Sequence, residues 1–265
     1  MNFIVYVFFG LLGLVIGSFL NVVVLRLHTK KISKGRSKCI HCNHVLSLFD
    51  LVPILSYLFL MGRCQYCKVK ISKQYIFVES LTAIIFILLA CKIFGDFGYA
   101  NMFDLLQFVT YSFIFSLLIV LSVYDSRHFI LPWKIMRIFL VSSFILPLIF
   151  AFIGDGITMT NFVAGFITAL PFWALWYFSQ GRLIGFGDVQ LMCGFGFLLG
   201  ISQGFTAIML GFWAGALFIF LKMIFSRKIL DGKTQIPFGP FLAIGAFLAF
   251  IFDYNLSIFM NIFLN

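Results

Sequence analysis

The chain has 265 residues, of which 62% are hydrophobic and 19% aromatic but only 11% charged. Soluble domains run roughly 45–50% apolar and about 25% charged, so this chain cannot cover a water-facing surface and lipid must be its main solvent. Its net charge of +10 is better explained by the positive-inside rule than by nucleic-acid binding, and no nucleic-acid partner is expected.

A bilayer core of ~30 Å takes about 20 apolar residues per helix. The first apolar run covers residues 3–25. It has neither the basic leader nor the small-residue cleavage site of a signal peptide, so it is expected to persist as a helix. A polar, basic stretch follows at 26–74. Further apolar runs lie at 75–94, 104–124, 135–153, 160–179, 189–202, 204–224 and 239–262. The expectation is an all-α polytopic membrane protein of about eight transmembrane helices, or six if two weaker runs are re-entrant. It divides into a first helix (1–25), a cytoplasmic loop (26–74) and a helix bundle (75–265).

Placing the 26–74 loop in the cytoplasm and alternating from there tests this layout. Of the 19 basic residues only Lys92 then falls on the outer side, together with Asp96, Asp104, Asp155 and Asp253. That bias predicts both termini outside. The basic inner face also suits anionic lipid, so the bilayer itself is an expected partner.

The cytoplasmic loop carries Cys39-Ile-His-Cys42 and, after 21 intervening residues, Cys64-Gln-Tyr-Cys67. Each knuckle puts two thiolates on one side of a tetrahedron, which is the pattern of a structural zinc site. Free thiols or a redox pair are the alternative; a reducing compartment argues against disulfides. His41 and His44 are expected outside the ligand set, and Cys91 and Cys193 to be buried thiols. Residues 46–60, between the knuckles, are too apolar for a loop. Asp50 and Pro53 spoil them as a span, so an interfacial helix or hairpin is expected.

Nine acids can be weighed singly. Asp96, Asp104, Asp155, Asp231 and Asp253 read as solvated loop or helix-end charges, and Asp50 belongs to the cysteine loop. Glu79 enters the second span and could satisfy a cation or a backbone group. Asp125 ends the third span before Pro132, and Asp188 opens the sixth in Gly185-Phe-Gly-Asp188. Both fall at the cytoplasmic face. Two carboxylates held close share one proton, one acting as base toward water and the other as acid toward a scissile carbonyl. Asp125 ends a helix and Asp188 starts one, so the helix dipoles alone place the shared proton on Asp125. Asp188 is expected to cap its helix.

At these residues the chain resembles the type IV prepilin peptidases, membrane aspartic peptidases with a G-x-G-D site. The resemblance rests on Gly17-Ser-Phe-Leu-Asn21 and on the two cysteine knuckles enclosing Leu51-Val-Pro-Ile-Leu-Ser-Tyr57. It continues through Tyr75 to Glu79, Asp125 seven residues before Pro132, Gly185 to Asp188, and Ile236-Pro-Phe-Gly-Pro240. The chain departs from the family pattern at Ile40, Trp133 and Gln190.

The resemblance implies Asp125 and Asp188 as the catalytic pair. It also implies cleavage of the basic leader from prepilins or pseudopilins, at the cytoplasmic side of a bacterial inner membrane. It further implies methylation of the new N-terminus with S-adenosylmethionine, although no glycine-rich nucleotide motif marks a site for that cofactor. Gly10, Gly13 and Gly17 share a helix face and read as a packing surface, with Ser18 and Asn21 as interhelical polar contacts. Arg127, His128 and Arg182 read as interfacial anchors. The reading from another class is a proton-coupled transporter or channel with a zinc-stapled module, since paired carboxylates also serve proton relays.

Overall fold

The computed structural model describes residues 2–27, 37–47, 49–95, 101–153, 160–226 and 236–255. Asp96, Asp155, Asp231 and the end of the last apolar run lie outside them. The described residues hold helices α1 (Asn2–Arg26), α2 (Leu55–Phe59), α3 (Gln74–Phe94), α4 (Met102–His128), α5 (Trp133–Ile153), α6 (Thr160–Ser179), α7 (Phe186–Ser226) and α8 (Gly239–Ile251). No strand occurs among them, only the isolated bridges Lys38–Val45 and Arg63–Lys70. This is an all-helical membrane protein, as the composition requires.

Among the described residues five helices are long and apolar enough to cross a bilayer: α1, α3, α4, α6 and α7. The expectation of eight spans is close in its segments but not in their ends. The runs expected at 189–202 and 204–224 form one 41-residue helix, α7, broken at Gly200. A straight helix of that length would reach about 60 Å, twice the hydrocarbon core. Gly200 divides it with φ 78° and ψ −179°, a conformation open essentially to glycine alone. Helix α8 has 13 residues and α5 carries Pro147 within it.

The chain forms two compact units, Met1–Val120 and Leu121–Asn265. In the first, α1 packs on α3 along its small residues. A Cβ on Gly13 would stand 2.7 Å from the Ala83 Cα, and one on Gly17 would stand 2.8 Å from the Glu79 Cα. The glycine face is therefore a packing face, as expected. The opposite face presents Ile4, Phe8, Leu11, Val15 and Phe19 exposed. Spaced three and four residues apart, they make the apolar stripe that a helix turns toward lipid.

In the second unit α7 packs against α5, α6 and α8. Phe139 of α5 meets Phe195 edge-on, with ring centroids 6.1 Å apart. Thr168 of α6 donates its hydroxyl to the Met192 carbonyl of α7 at 3.2 Å. Gly211 of α7 lies so close to α8 that a Cβ there would stand 3.0 Å from the Leu242 Cα. Close helix approach through small residues replaces the hydrophobic drive that is missing between helices in lipid.

Candidate active site

Asp125 occupies the last turn of α4. The helix stops there because Phe129 takes a positive φ of 55°, while its amide still donates to the Asp125 carbonyl at 2.8 Å. Pro132 then bars the helix from resuming before α5. The Asp125 side chain is buried, 6% exposed. A buried carboxylate needs hydrogen-bond donors, and Oδ2 accepts the backbone N–H of Gly239 at 2.9 Å. Gly239 is the first residue of α8, where backbone amides have no partner within the helix.

Asp188 lies in the first turn of α7, half-buried. It does not cap that helix, contrary to expectation. The cap is made by Gly185, whose carbonyl accepts the amides of Asp188 at 3.1 Å and Val189 at 3.4 Å. Asp188 stands three residues further on, and its carboxylate accepts a hydrogen bond from the Gly185 backbone. That is the reach-back half of a capping box. The glycines of the motif have separate steric reasons. A Cβ on Gly187 would press on Leu131 at 2.8 Å, and one on Gly185 would crowd Oδ2 of Asp188 at 3.2 Å.

The structure places the two expected aspartates near enough for the charge of Asp125 to bear on Asp188. Each carboxylate receives one glycine amide, from the start of α8 and the start of α7 respectively. This removes the basis for assigning the shared proton by helix dipoles. Asp125 sits at the negative end of α4 but also at the positive end of α8, so the two fields oppose each other there. The pair is best treated as one titrating unit. Arg127, His128 and Arg182 are all exposed, which fits anchoring; the His128 ring lies against Tyr124 with centroids 4.6 Å apart.

The second cluster lies in the first unit. The Sγ atoms of Cys39, Cys42, Cys64 and Cys67 all fall within 4.8 Å of one another and could hold a metal ion. The two knuckles are built alike. Asn43 N–H donates to the Cys39 carbonyl at 3.0 Å, and Lys68 N–H to the Cys64 carbonyl at 2.9 Å. Asn43 and Lys68 both take positive φ, 54° and 57°. Cys39 N–H donates to the His44 carbonyl, as Cys64 N–H does to that of Val69.

The Cys39 and Cys67 sulfurs stand 3.8 Å apart, the edge of a tetrahedron whose ligands lie ~2.3 Å from its centre. The Cys42 backbone pulls the Cys39 thiol down to about 6. The Val69 amide pulls on Cys67 as well, but desolvation and the neighbouring thiols push it up to about 11. Thiols this close together lose their protons as a set only around a cation, so the cluster is suited to a metal ion. His41 and His44 are exposed, outside the ligand set as expected, with the His44 ring 3.6 Å from that of Tyr66.

Between the knuckles, residues 46–60 form two short helical pieces, Phe49–Leu51 and α2. Asp50 holds the first by accepting the amide and hydroxyl of Ser47 at 2.9 and 2.8 Å. Phe49, Phe59 and Met61 are almost fully exposed, in keeping with an interfacial segment. Glu79 is buried and accepts the Ile54 amide at 2.8 Å as well as a hydrogen bond from Ser18. Asn21 donates to the Tyr75 carbonyl at 3.2 Å and accepts from Gln74 at 3.3 Å. Ser18 and Asn21 are therefore interhelical contacts. Cys91 is exposed and Cys193 only half-buried, which corrects the expectation of two buried thiols; Cys91 lies on the outer face of α3, where lipid would serve as solvent.

The family model of the bacterial peptidase A24 N-terminal domain matches residues 11–93, with all four knuckle cysteines. That of the type IV leader peptidase family matches residues 112–220, with both aspartates. A type 4 prepilin-like proteins leader peptide-processing enzyme of Escherichia coli is 31% identical over 88% of this chain and 88% of its own. The chain belongs to the type IV leader peptidase family. Two other relatives carry the name prepilin leader peptidase/N-methyltransferase. One, from Bacillus subtilis, is 30% identical over 91% of both chains. The other, from Aeromonas hydrophila, is 29% identical over 93% of this chain and 90% of its own. No solved structure matches. Gly239 lies beyond both matched stretches, and the sequence marks it only as part of Ile236 to Pro240.

Proposed function

We propose that this leader peptidase is a membrane-embedded aspartic endopeptidase that removes the basic leader from type IV prepilins or pseudopilins. The observation that carries the reading is the coupling of Asp125 and Asp188 in one partly buried site, each with a single amide donor. One carboxylate takes a proton from water while the other gives its proton to the scissile carbonyl oxygen. Water's oxygen adds to the carbonyl carbon to give a gem-diol, whose C–N bond breaks as one carboxyl protonates the leaving nitrogen and the other carboxylate takes a proton from a diol hydroxyl. The pair ends with one proton, as it began. The proton-coupled transporter finds no support in the relatives, which are named as peptidases.

The enzyme resides in the bacterial inner membrane with both termini outside and the 26–74 loop in the cytoplasm. The charge distribution supports that orientation, with the first helix, the cysteine loop and the remaining helices as three functional parts. The four cysteines hold zinc, for which the 3.8 Å sulfur spacing and the four-thiolate set are suited. Its role is structural: four protein ligands leave no position open for substrate. The names of the relatives support a second activity, methylation of the new N-terminus, with S-adenosylmethionine supplying the methyl group.

The test is incubation of the purified protein in liposomes with a prepilin bearing a basic leader, a glycine and an apolar helix. Leader release by the wild type, and none by Asp125→Asn or Asp188→Asn, supports the reading; no release by wild-type protein in liposomes or native membranes overturns it.

A further inference from the structure

We infer that the backbone N–H of Gly239 positions Asp125 for catalysis. The inference rests on Asp125 being one of the cleaving carboxylates. An aspartate's terminal torsion is broad and roughly two-fold, so its carboxylate turns easily unless something fixes it. At the end of α4 that something is a single amide from a segment 114 residues away, donating to Oδ2 at 2.9 Å.

The start of α8 is arranged to leave this donor free for the task. Phe238 supplies no side-chain cap, and its carbonyl takes the amides of Phe241 at 3.1 Å and Leu242 at 3.2 Å. Pro240 has no N–H. Gly239 thus presents its amide to Asp125 while the turn that follows is satisfied within the helix or lacks a donor.

The same contact explains the residue type. Gly239 is buried, and a Cβ there would stand 2.9 Å from Oδ2 and 3.5 Å from the Asp125 Cβ and Cγ. The neighbour is the carboxylate itself, so any side chain at 239 displaces the group that the amide holds. Gly185 is also close to its aspartate, since a Cβ there would reach Oδ2 of Asp188 at 3.2 Å. The site is a pair of aspartates, each set by a glycine at the start of a different helix.

Replacing Gly239 by glycolic acid through nonsense suppression turns the N–H into an ester oxygen and adds no atom. In proteoliposomes the expected result is a kcat about tenfold to a hundredfold lower, the loss of one hydrogen bond to a charged group. KM for prepilin and the thermal midpoint stay within error of the control suppressed with glycine. A wild-type kcat overturns the proposal, as does a joint change in KM and melting, which marks a merely structural contact. If the ester chain does not accumulate, Gly239→Ala decides: lowered kcat with KM and melting unchanged supports the proposal, any other result overturns it. Asp125→Asn and Asp188→Asn, run in parallel, separate the two levels. Activity in either sinks the dyad reading, whereas inactivity of both beside a fully active ester variant sinks only the role of Gly239.

Discussion

The carboxylate of Glu79, in the second turn of α3, accepts the backbone N–H of Ile54 at 2.8 Å. Ile54 has φ 59°, a conformation that a β-branched residue adopts only under constraint. Strain of this kind costs on the order of 1–3 kcal/mol, and the hydrogen bond to Glu79 helps to hold it. Glu79 therefore fastens the apolar segment between the knuckles to α3.

Glu79→Ala leaves the Ile54 amide without its acceptor and should cost about 1–3 kcal/mol. Glu79→Gln keeps an acceptor oxygen and should cost less. Thermal unfolding in detergent checks this, with a clear drop in midpoint for Ala and a small one for Gln. Equal losses would mean that the negative charge, and so a cation, matters instead.

Gly13 and Gly17 predict a packing defect of a different kind. A side chain at either position drives α1 away from the α3 backbone. Gly17→Val should destabilise by about 1–3 kcal/mol or more, the usual range for overpacking. Phe19→Val, on the exposed face of α1, should stay near wild type. Melting of the two variants side by side makes the comparison.

The cysteine cluster predicts one zinc per chain by elemental analysis. Binding replaces protons on the thiols, so affinity must fall as pH falls. Removing the metal with a strong chelator should expose four titratable thiols at the knuckles. In a Cys91→Ser, Cys193→Ser background, thiol titration before and after chelation reads only those four.

Much of this was legible in the sequence, for identifiable reasons. Composition and run length revealed the helices because lipid imposes one rule along the whole chain. The cysteine spacing revealed the cluster because each knuckle is local. The break in α7 was placed a few residues late, since the apolar run continues through Gly200 and only the backbone angle marks it. The G-x-G-D spacing suggests Asp188 as a cap, but its position three residues after Gly185 makes it the partner of the cap. The Gly239–Asp125 contact was not legible, because it joins positions 114 residues apart through a backbone atom that every residue but proline carries. For the same reason the sequence shows the dipole of α4 at Asp125 and not that of α8.

The most direct test of the central claim is mass spectrometry of a prepilin coexpressed with the wild type, with Asp125→Asn or with Asp188→Asn, at matched enzyme levels in the membrane. The account predicts a pilin without its leader for the wild type alone, and full-length prepilin with both variants. A processed pilin from either variant would contradict it.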